Sequence, residues 1–315
     1  MWDEVRQIAQ QHPARAGKRA KRPFQKDVLA YFERLGYDAK ISRDRAVVMN
    51  ENIVAGDVSR AKYIFTAHYD TPPRMLLPAN IIFPQKPFLT FFLQTVIMLA
   101  VFAAVGLLWS AIARMIDVSP FWRMELGWIL CSVVFMLLFF SFPNKVNAND
   151  NTSGVCGVLE AAARIPDALR EQVAFILFDH EEMGLLGSAA FFLKHTKDVK
   201  RKVLVNLDCI GVGEDIWFIA DKKFSKKPGV LEQLKACIVP ADGKTVEVRG
   251  GKGYFFPSDQ LNFNNTVVVA ALKRKGDLFY LDQVHTSRDT VLDERNIDVI
   301  VEALVNIAGS GIAQA

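Results

Sequence analysis

Hydrophobic and polar positions follow three rhythms along the chain. In the first, short unbroken apolar blocks end in polar residues: "AKYIFTAHYD", "QVAFILFDHEE", "RKVLVNLDCIG", "EDIWFIAD" and "NTVVVAALK". Such blocks predict strands covered on both faces. In the second, apolar residues recur at helical spacing. "KRPFQKDVLAYFERLGYD" predicts a helix stopped by Gly36, and "NTSGVCGVLEAAARI" one with Thr152 or Ser153 as N-cap. Further helices are predicted in "GLLGSAAFFLKHT", "KPGVLEQLKACI" and "DERNIDVIVEALVNIAGSGI". "DAKISRDRAVVMNENIVAGD" alternates and turns, as short strands do. Strands alternating with helices predict an α/β fold: a mostly parallel, mixed sheet sandwiched by helices.

The third rhythm has almost no polar beats. From Pro87 to Ala113 there is no charged residue, and Leu126 to Phe142 is nearly as apolar. A hydrocarbon core of about 30 Å takes roughly 20 helical residues, so spans are expected at about 88–113 and 126–142. Arg114, Asp117, Pro120 and Arg123 form the expected polar turn between them. Two adjacent spans make a hairpin, so residues 1–86 and 145–315 are expected to form one domain on one side of a bilayer, with 87–144 inserted. Arg74, Lys86 and Lys145, besides the basic N-terminus, lie on that side, and Arg114 and Arg123 lie in the hairpin turn on the other. The positive-inside tendency assigns the soluble part to the cytoplasmic side of a bacterial-type inner membrane. The plain alternative is a buried helical hairpin, or an apolar lid over an active site.

Composition adds less. The 315 residues are 51% hydrophobic, with much of the excess between Pro87 and Phe142. A net charge of +4 gives no argument for nucleic acid. The run "ARAGKRAKRPFQK" reads as a solvated terminal segment, or as one attracted to anionic headgroups. Cys131, Cys156, Cys209 and Cys237 have no paired spacing, which favours a reducing compartment over a disulfide framework or a zinc ribbon. "MWDEVRQIAQQHPARAG" lacks the apolar core of a signal peptide.

In parallel α/β sheets, sites form beyond the carboxyl ends of the strands. There the chain carries His68 and Asp70, Asp150 in the loop after the apolar hairpin, Glu181 and Glu182, Asp208, and His285 towards the C-terminus. So many carboxylates share a place only if cations neutralise them. Oxygen and imidazole donors suit zinc, manganese or cobalt. Their number fits two ions sharing a bridging carboxylate, with one carboxylate left over as a base. Singly, each residue has an ordinary reading: a local His–Asp bond, a solvated Glu–Glu turn, a helix cap, an Asx turn. Their joint occurrence at successive strand ends points to a metal centre.

These residues fall in the segments "AHYDT", "NDNTSGVCGVLEAAAR", "FDHEEMGLLGS", "NLDCIG", "PSDQLNF" and "HTSRDT". Together and in this order they resemble the M28 family of zinc aminopeptidases and related metallopeptidases, from about Asn52 to the C-terminus except for the apolar insertion. The resemblance implies that Asp150 bridges two zinc ions, that His68 and Asp208 complete one and that Glu182 and His285 complete the other. It implies Glu181 as general base and Asp70 as the partner orienting His68. A peptide substrate follows: Glu181 deprotonates a metal-activated water that attacks the peptide carbonyl, then protonates the leaving amine. The chain departs from many members at Val284, where they have Tyr, and at Gln260, where they have His. Tyr254 and Tyr280 are candidate substitutes for the missing hydroxyl, and His180 and His195 read as structural. Three rival readings stand beside the aminopeptidase: a glutaminyl-cyclase-like transferase using one zinc, a non-peptide amidase, and an inactive membrane receptor or scaffold.

Overall fold

The computed structural model describes residues 2–77, 80–140 and 142–312. Two helices, α1 (Trp2–Gln11) and α2 (Lys18–Arg34), lead into the antiparallel pair β1 (Ala39–Arg45) and β2 (Met49–Ala55), and then β3 (Tyr63–His68). A two-residue strand β4 (Pro73–Arg74) precedes the long helices α3 (Pro87–Met115) and α4 (Pro120–Phe139), and β5 (Phe142–Pro143) follows them. Then come α5 (Gly154–Arg164), β6 (Val173–Phe178), α6 (Leu186–Val199), β7 (Val203–Leu207), β8 (Asp215–Ala220), α7 (Val230–Ala236), β9 (Thr245–Gly250), β10 (Thr266–Lys275), β11 (Leu278–Tyr280) and α8 (Glu294–Ala308).

The sheet runs β1-β2-β6-β3-β7-β10-β8-β9, with β11 also paired to β10. The central strands β6, β3, β7 and β10 are mutually parallel, and antiparallel neighbours extend the sheet on both sides. Period-two alternation divides the core. Tyr63, Phe65, Phe175, Leu177, Val205, Phe218 and Val269 face the layer of α1, α2, α5 and α8. Ile64, Ile176, Phe178 and Leu204 face the other way, against Phe191 of α6. Two buried faces explain why these strands read as unbroken apolar blocks.

Helices α3 and α4 pack against each other: Cys131 lies against the Phe102 carbonyl, Phe102 meets Phe135, and Trp109 Nε1 donates to the Arg123 carbonyl at 2.6 Å. Both are long and apolar enough to cross a membrane, and only 6% of the most apolar stretch of each is buried within the protein. Their boundaries correct the sequence reading. The turn is Ile116–Ser119, and α4 begins at Pro120, whose fixed φ suits a first helical position. Arg114 therefore lies in α3, and Pro120 and Arg123 in α4, rather than in the turn, and α4 ends at Phe139. Ser141, within the expected span 126–142, lies outside the described residues.

At the root of the hairpin, β4 and β5 pair antiparallel and Leu76 N–H donates to the Leu138 carbonyl. The same root touches the main body through Ile82 with Leu281, Phe255 N–H with the Pro84 carbonyl, and Met75 N–H with the His285 carbonyl at 2.7 Å.

Candidate metal centre

Because β6, β3 and β7 are parallel neighbours, their carboxyl ends deliver His68 and Asp70, Glu181 and Glu182, and Asp208 to one edge. Asp150 arrives from the segment joining the hairpin to α5. The asparagines of "NDN" are braces for it. Asn151 Nδ2 donates to the Leu207 carbonyl while its Oδ1 accepts from the Gly154 and Cys209 N–H groups. Asn149 Oδ1 accepts from Gly211 N–H. A Cβ on Gly154 would sit 2.6 Å from the Leu207 carbonyl oxygen, so only glycine lets α5 start this close to β7. The expected N-cap holds in position but not in its capping bond. Ser153 occupies the cap position, but its hydroxyl donates to the Asn149 carbonyl and accepts from Ile210 N–H, and Asn151 takes the helix N–H.

All five expected ligand residues and Glu181 meet in one place. His68 Nε2 lies 3.3 Å from Asp150 Oδ1, 3.8 Å from Asp208 Oδ1 and 4.0 Å from Glu181 Oε2. His285 Nε2 lies 3.1 Å from Asp150 Oδ2 and 3.2 Å from Glu182 Oε2. The two oxygens of Asp150 thus face different histidines. Asp70 does more than the resemblance implies. Its carboxylate accepts the backbone N–H groups of both Glu181 and Glu182, at 3.0 and 3.2 Å. His68 Nδ1 makes its hydrogen bond, 3.2 Å, to the Asp70 carbonyl and stands 3.6 Å from the carboxylate.

Electrostatics match the crowding. Burial, together with the charges of Asp208, Asp259 and Asp150, raises the Glu181 pKa well above the ordinary range against the pull of His68. Glu182 is raised in the same way, by burial and by Asp150 and Glu181. Burial opposes a charged His68, but Glu181, Asp150, Asp208 and Asp70 outweigh it and raise its pKa well above the usual value. Burial likewise opposes ionisation of Asp150, yet its bonds to His285 and His68 hold its pKa low.

The donor set fits divalent cations. One ligand atom each from His68, Glu181 and Asp208 lie within 4.8 Å of one another, as do those of His68, Asp150 and Glu182. Glu182 Oε1 is buried with no hydrogen-bond partner, in a carboxyl group whose ionisation Asp150 and Glu181 oppose. Imidazole and carboxylate donors of this kind suit zinc. Left without cations, such buried like charges are costly.

Four contributors were not assigned from the sequence. Asp289 accepts the Asn149 and Asp150 N–H groups at 2.8 and 3.0 Å, and burial pushes its pKa up to about 7. Asp259 is fully buried beside the cluster, and burial raises it to about 7. Cys209 brings a thiol within 4.8 Å of Asp150 and Asp208; burial and those two carboxylates raise its pKa, which keeps it protonated. Arg15, the fourth, links two ligand-bearing loops: its guanidinium donates to the Tyr69 carbonyl and to Thr152 Oγ1, and its N–H to Thr71 Oγ1.

Arg15 and Lys21 correct the reading of the N-terminal basic run, since both are buried, and Lys21 pairs with buried Asp179 at the end of β6. Asp179 also accepts Glu51 N–H and stands so close to α6 that a Cβ on Gly187 would lie 1.8 Å from its carbonyl oxygen. Gln260 replaces the family histidine as a brace, donating to the Phe256 carbonyl and accepting from Asn206. Tyr254 is hydrogen-bonded to Arg249, and the ring of Tyr280 stacks obliquely near Phe83. His180 bonds Asn50, and His195 stacks on Phe191.

In overall fold the chain is similar to three solved structures. The LapA aminopeptidase of Legionella pneumophila is 15% identical with a TM-score of 0.57, the alignment covering 98% of this chain and 71% of that one. A glutaminyl cyclase of Bacteroides thetaiotaomicron is 14% identical, TM-score 0.59, covering 98% and 95%. A Zn-dependent exopeptidase of Parabacteroides distasonis is 14% identical, TM-score 0.58, covering 98% and 96%. No curated protein matches the chain in sequence. The family model described as peptidase family M28 matches residues 139–308, which include Asp150, Glu181, Glu182, Asp208 and His285 and make up more than half of the chain. The chain belongs to peptidase family M28.

Proposed function

We propose that this protein is a membrane-anchored aminopeptidase that hydrolyses peptide bonds with two zinc ions. In this reading residues 1–86 and 145–315 form one catalytic domain and 87–144 an inserted transmembrane hairpin. The observation that carries it is the split of Asp150: one carboxylate oxygen turned to His68, the other to His285 and its neighbour Glu182. His68 and Asp208 would hold one ion, Glu182 and His285 the second, and Asp150 both. Bound there, the cations would supply an acidified water and a polarised carbonyl.

The chain's own residues do the rest. Glu181 accepts the proton of the attacking water and delivers it to the leaving amine. Asp70, holding the N–H groups of Glu181 and Glu182, keeps the base and a ligand in register. The Asp70 carbonyl fixes the His68 ring and so the nitrogen it presents.

The test is a substrate panel with detergent-purified protein: aminoacyl peptides, N-blocked peptides and N-terminal glutaminyl peptides. Free-amine substrates should be cleaved, chelator should abolish the activity, and zinc should restore it, at two ions per chain by elemental analysis. Cyclisation of the glutaminyl peptides with one zinc per chain would assign the protein to the transferase chemistry instead.

The anchoring has its own test. The hydrogen bond from Met75 to the His285 carbonyl ties the hairpin root to a ligand loop, which favours peptides arriving at or released from a bilayer. Replacing Lys86–Asn144 with a short linker should leave cleavage of soluble peptides within a few-fold and selectively lower cleavage of membrane-associated ones. Activity on both classes unchanged from that of the full chain would refute that bias.

A further inference from the structure

The hairpin is not the only part of the molecule suited to a lipid surface. The loop Gly251–Pro257, between β9 and the Asp259 segment, lies against the first turns of α3. Phe255 N–H donates to the Pro84 carbonyl at 2.9 Å, and the Phe255 ring lies 5.9 Å from that of Phe91. Since α3 starts at Pro87 and a helix rises about 1.5 Å per residue, Phe91 stands about 6 Å into it. Phe255 is therefore level with the shallow end of the expected span, and it is 36% exposed, as Phe88 is 82% and Phe91 54%.

Four exposed lysines belong to the segments that meet at these rings. Lys86 immediately precedes α3, and Lys252 precedes Phe255 by three residues; both are exposed. Gly251 approaches the end of β8 so closely that a Cβ there would lie 2.9 Å from Lys222 N, which brings exposed Lys222 and Lys223 beside the same loop. Aromatic rings at the depth where a hydrocarbon core begins, with lysines set behind them, make up the pattern of an interfacial contact with anionic lipid.

We infer that the Gly251–Pro257 loop is a second membrane contact: Phe255 enters the headgroup boundary next to α3, and Lys86, Lys222, Lys223 and Lys252 engage anionic headgroups. This rests on the membrane-anchored reading above. It gives the body two footings, the hairpin and the loop, and fixes its tilt on the bilayer. The Ser258–Gln260 segment that follows the loop packs on β7 through Asn206, so the footing is continuous with the strand that carries Asp208.

The test uses the full chain in bilayers. The four native cysteines are buried, so an environment-sensitive thiol probe can be placed singly by Phe255→Cys, by Leu107→Cys in α3, or by Val47→Cys, 79% exposed on the β1–β2 turn. Quenching by brominated lipid is read with zwitterionic lipid alone and with anionic lipid added. The Leu107 probe should be quenched in both mixtures and the Val47 probe in neither. The Phe255 probe should be quenched, and several-fold more with anionic lipid. Combining Lys222→Glu, Lys223→Glu and Lys252→Glu should remove that gain.

Quenching at Leu107 without quenching at Phe255 overturns the second contact and leaves the anchor standing. No quenching at either overturns both. Quenching at Phe255 that ignores anionic lipid and the charge reversals overturns the headgroup assignment. Energy transfer between Phe255 probes on separate copies, without lipid quenching, assigns the loop to a protein interface instead.

Discussion

Glu181→Gln is expected to lower kcat by about 10²–10⁴-fold, the range lost when a positioned general base is removed, while leaving two bound zinc ions per chain. The substitution keeps the shape of the side chain and the backbone N–H that Asp70 accepts, so the local frame survives. What disappears is the ability to take a proton and return it. Every expected ligand is retained, so metal content and KM should change little. The contrast is Asp150→Ala, which removes the carboxylate facing both histidines and should lower metal content itself. Elemental analysis beside steady-state kinetics separates the two. Near-normal kcat in metal-replete Glu181→Gln would remove Glu181 from the proton-transfer role. Loss of zinc in that variant would make it a ligand.

Lys21→Met is expected to cost about 3–5 kcal/mol of stability, the usual effect of removing one partner of a buried ion pair. Lys21 is 4% exposed and Asp179 2%, and the ammonium also lies 5.8 Å from the centre of the Tyr69 ring. Without the lysine, Asp179 keeps the N–H groups of Glu51 and His180 and the His180 ring at 3.3 Å, but loses its buried ammonium partner. Thermal unfolding should fall by about 10 °C, at roughly 2–4 °C per kcal/mol for a chain of this class. The double variant Lys21→Met/Asp179→Asn should recover most of the loss, because no unpaired charge is left behind. Additive losses in the double variant would show that the pair is not coupled. Asp179 stands two residues before Glu181, so the same fault should reach the centre as lower activity at temperatures below unfolding.

The legibility of this molecule in its sequence follows from where each signal is local. Strands β3, β6 and β7 are buried on both faces, so they could be read as apolar blocks, and the polar residue after each block had to lie at the sheet edge. The candidate metal cluster was legible for that reason. Helix α1 went unread because only Val5 and Ile8 of its ten residues are buried. Strand β9 is a short, half-exposed edge and β11 has three residues, too few for a periodicity. Arg15, Lys21, Asp259 and Asp289 went unassigned because their roles depend on partners more than fifty residues away, or on full burial, neither of which leaves a local pattern. The basic run containing Arg15 and Lys21 looked like a solvated tail because composition cannot tell an exposed lysine from one enclosed with an aspartate. The hairpin was legible as two apolar runs, but its turn was displaced because Pro120 was read as a turn residue when it opens α4.

Between His68 and Asp150 the chain makes an excursion of some eighty residues and comes back to its own starting point, sealed where Pro73–Arg74 pairs with Phe142–Pro143. For a flexible tether, bringing such distant positions together carries an entropic cost that grows with the logarithm of the enclosed length. Two stiff helices docked side by side remove most of that length from the fluctuating chain. Paired, α3 and α4 act as a folded-over splint: the tether between His68 and Asp150 shrinks to residues 69–86 and 140–149, roughly a third of the excursion, and closing the cage costs correspondingly less chain entropy.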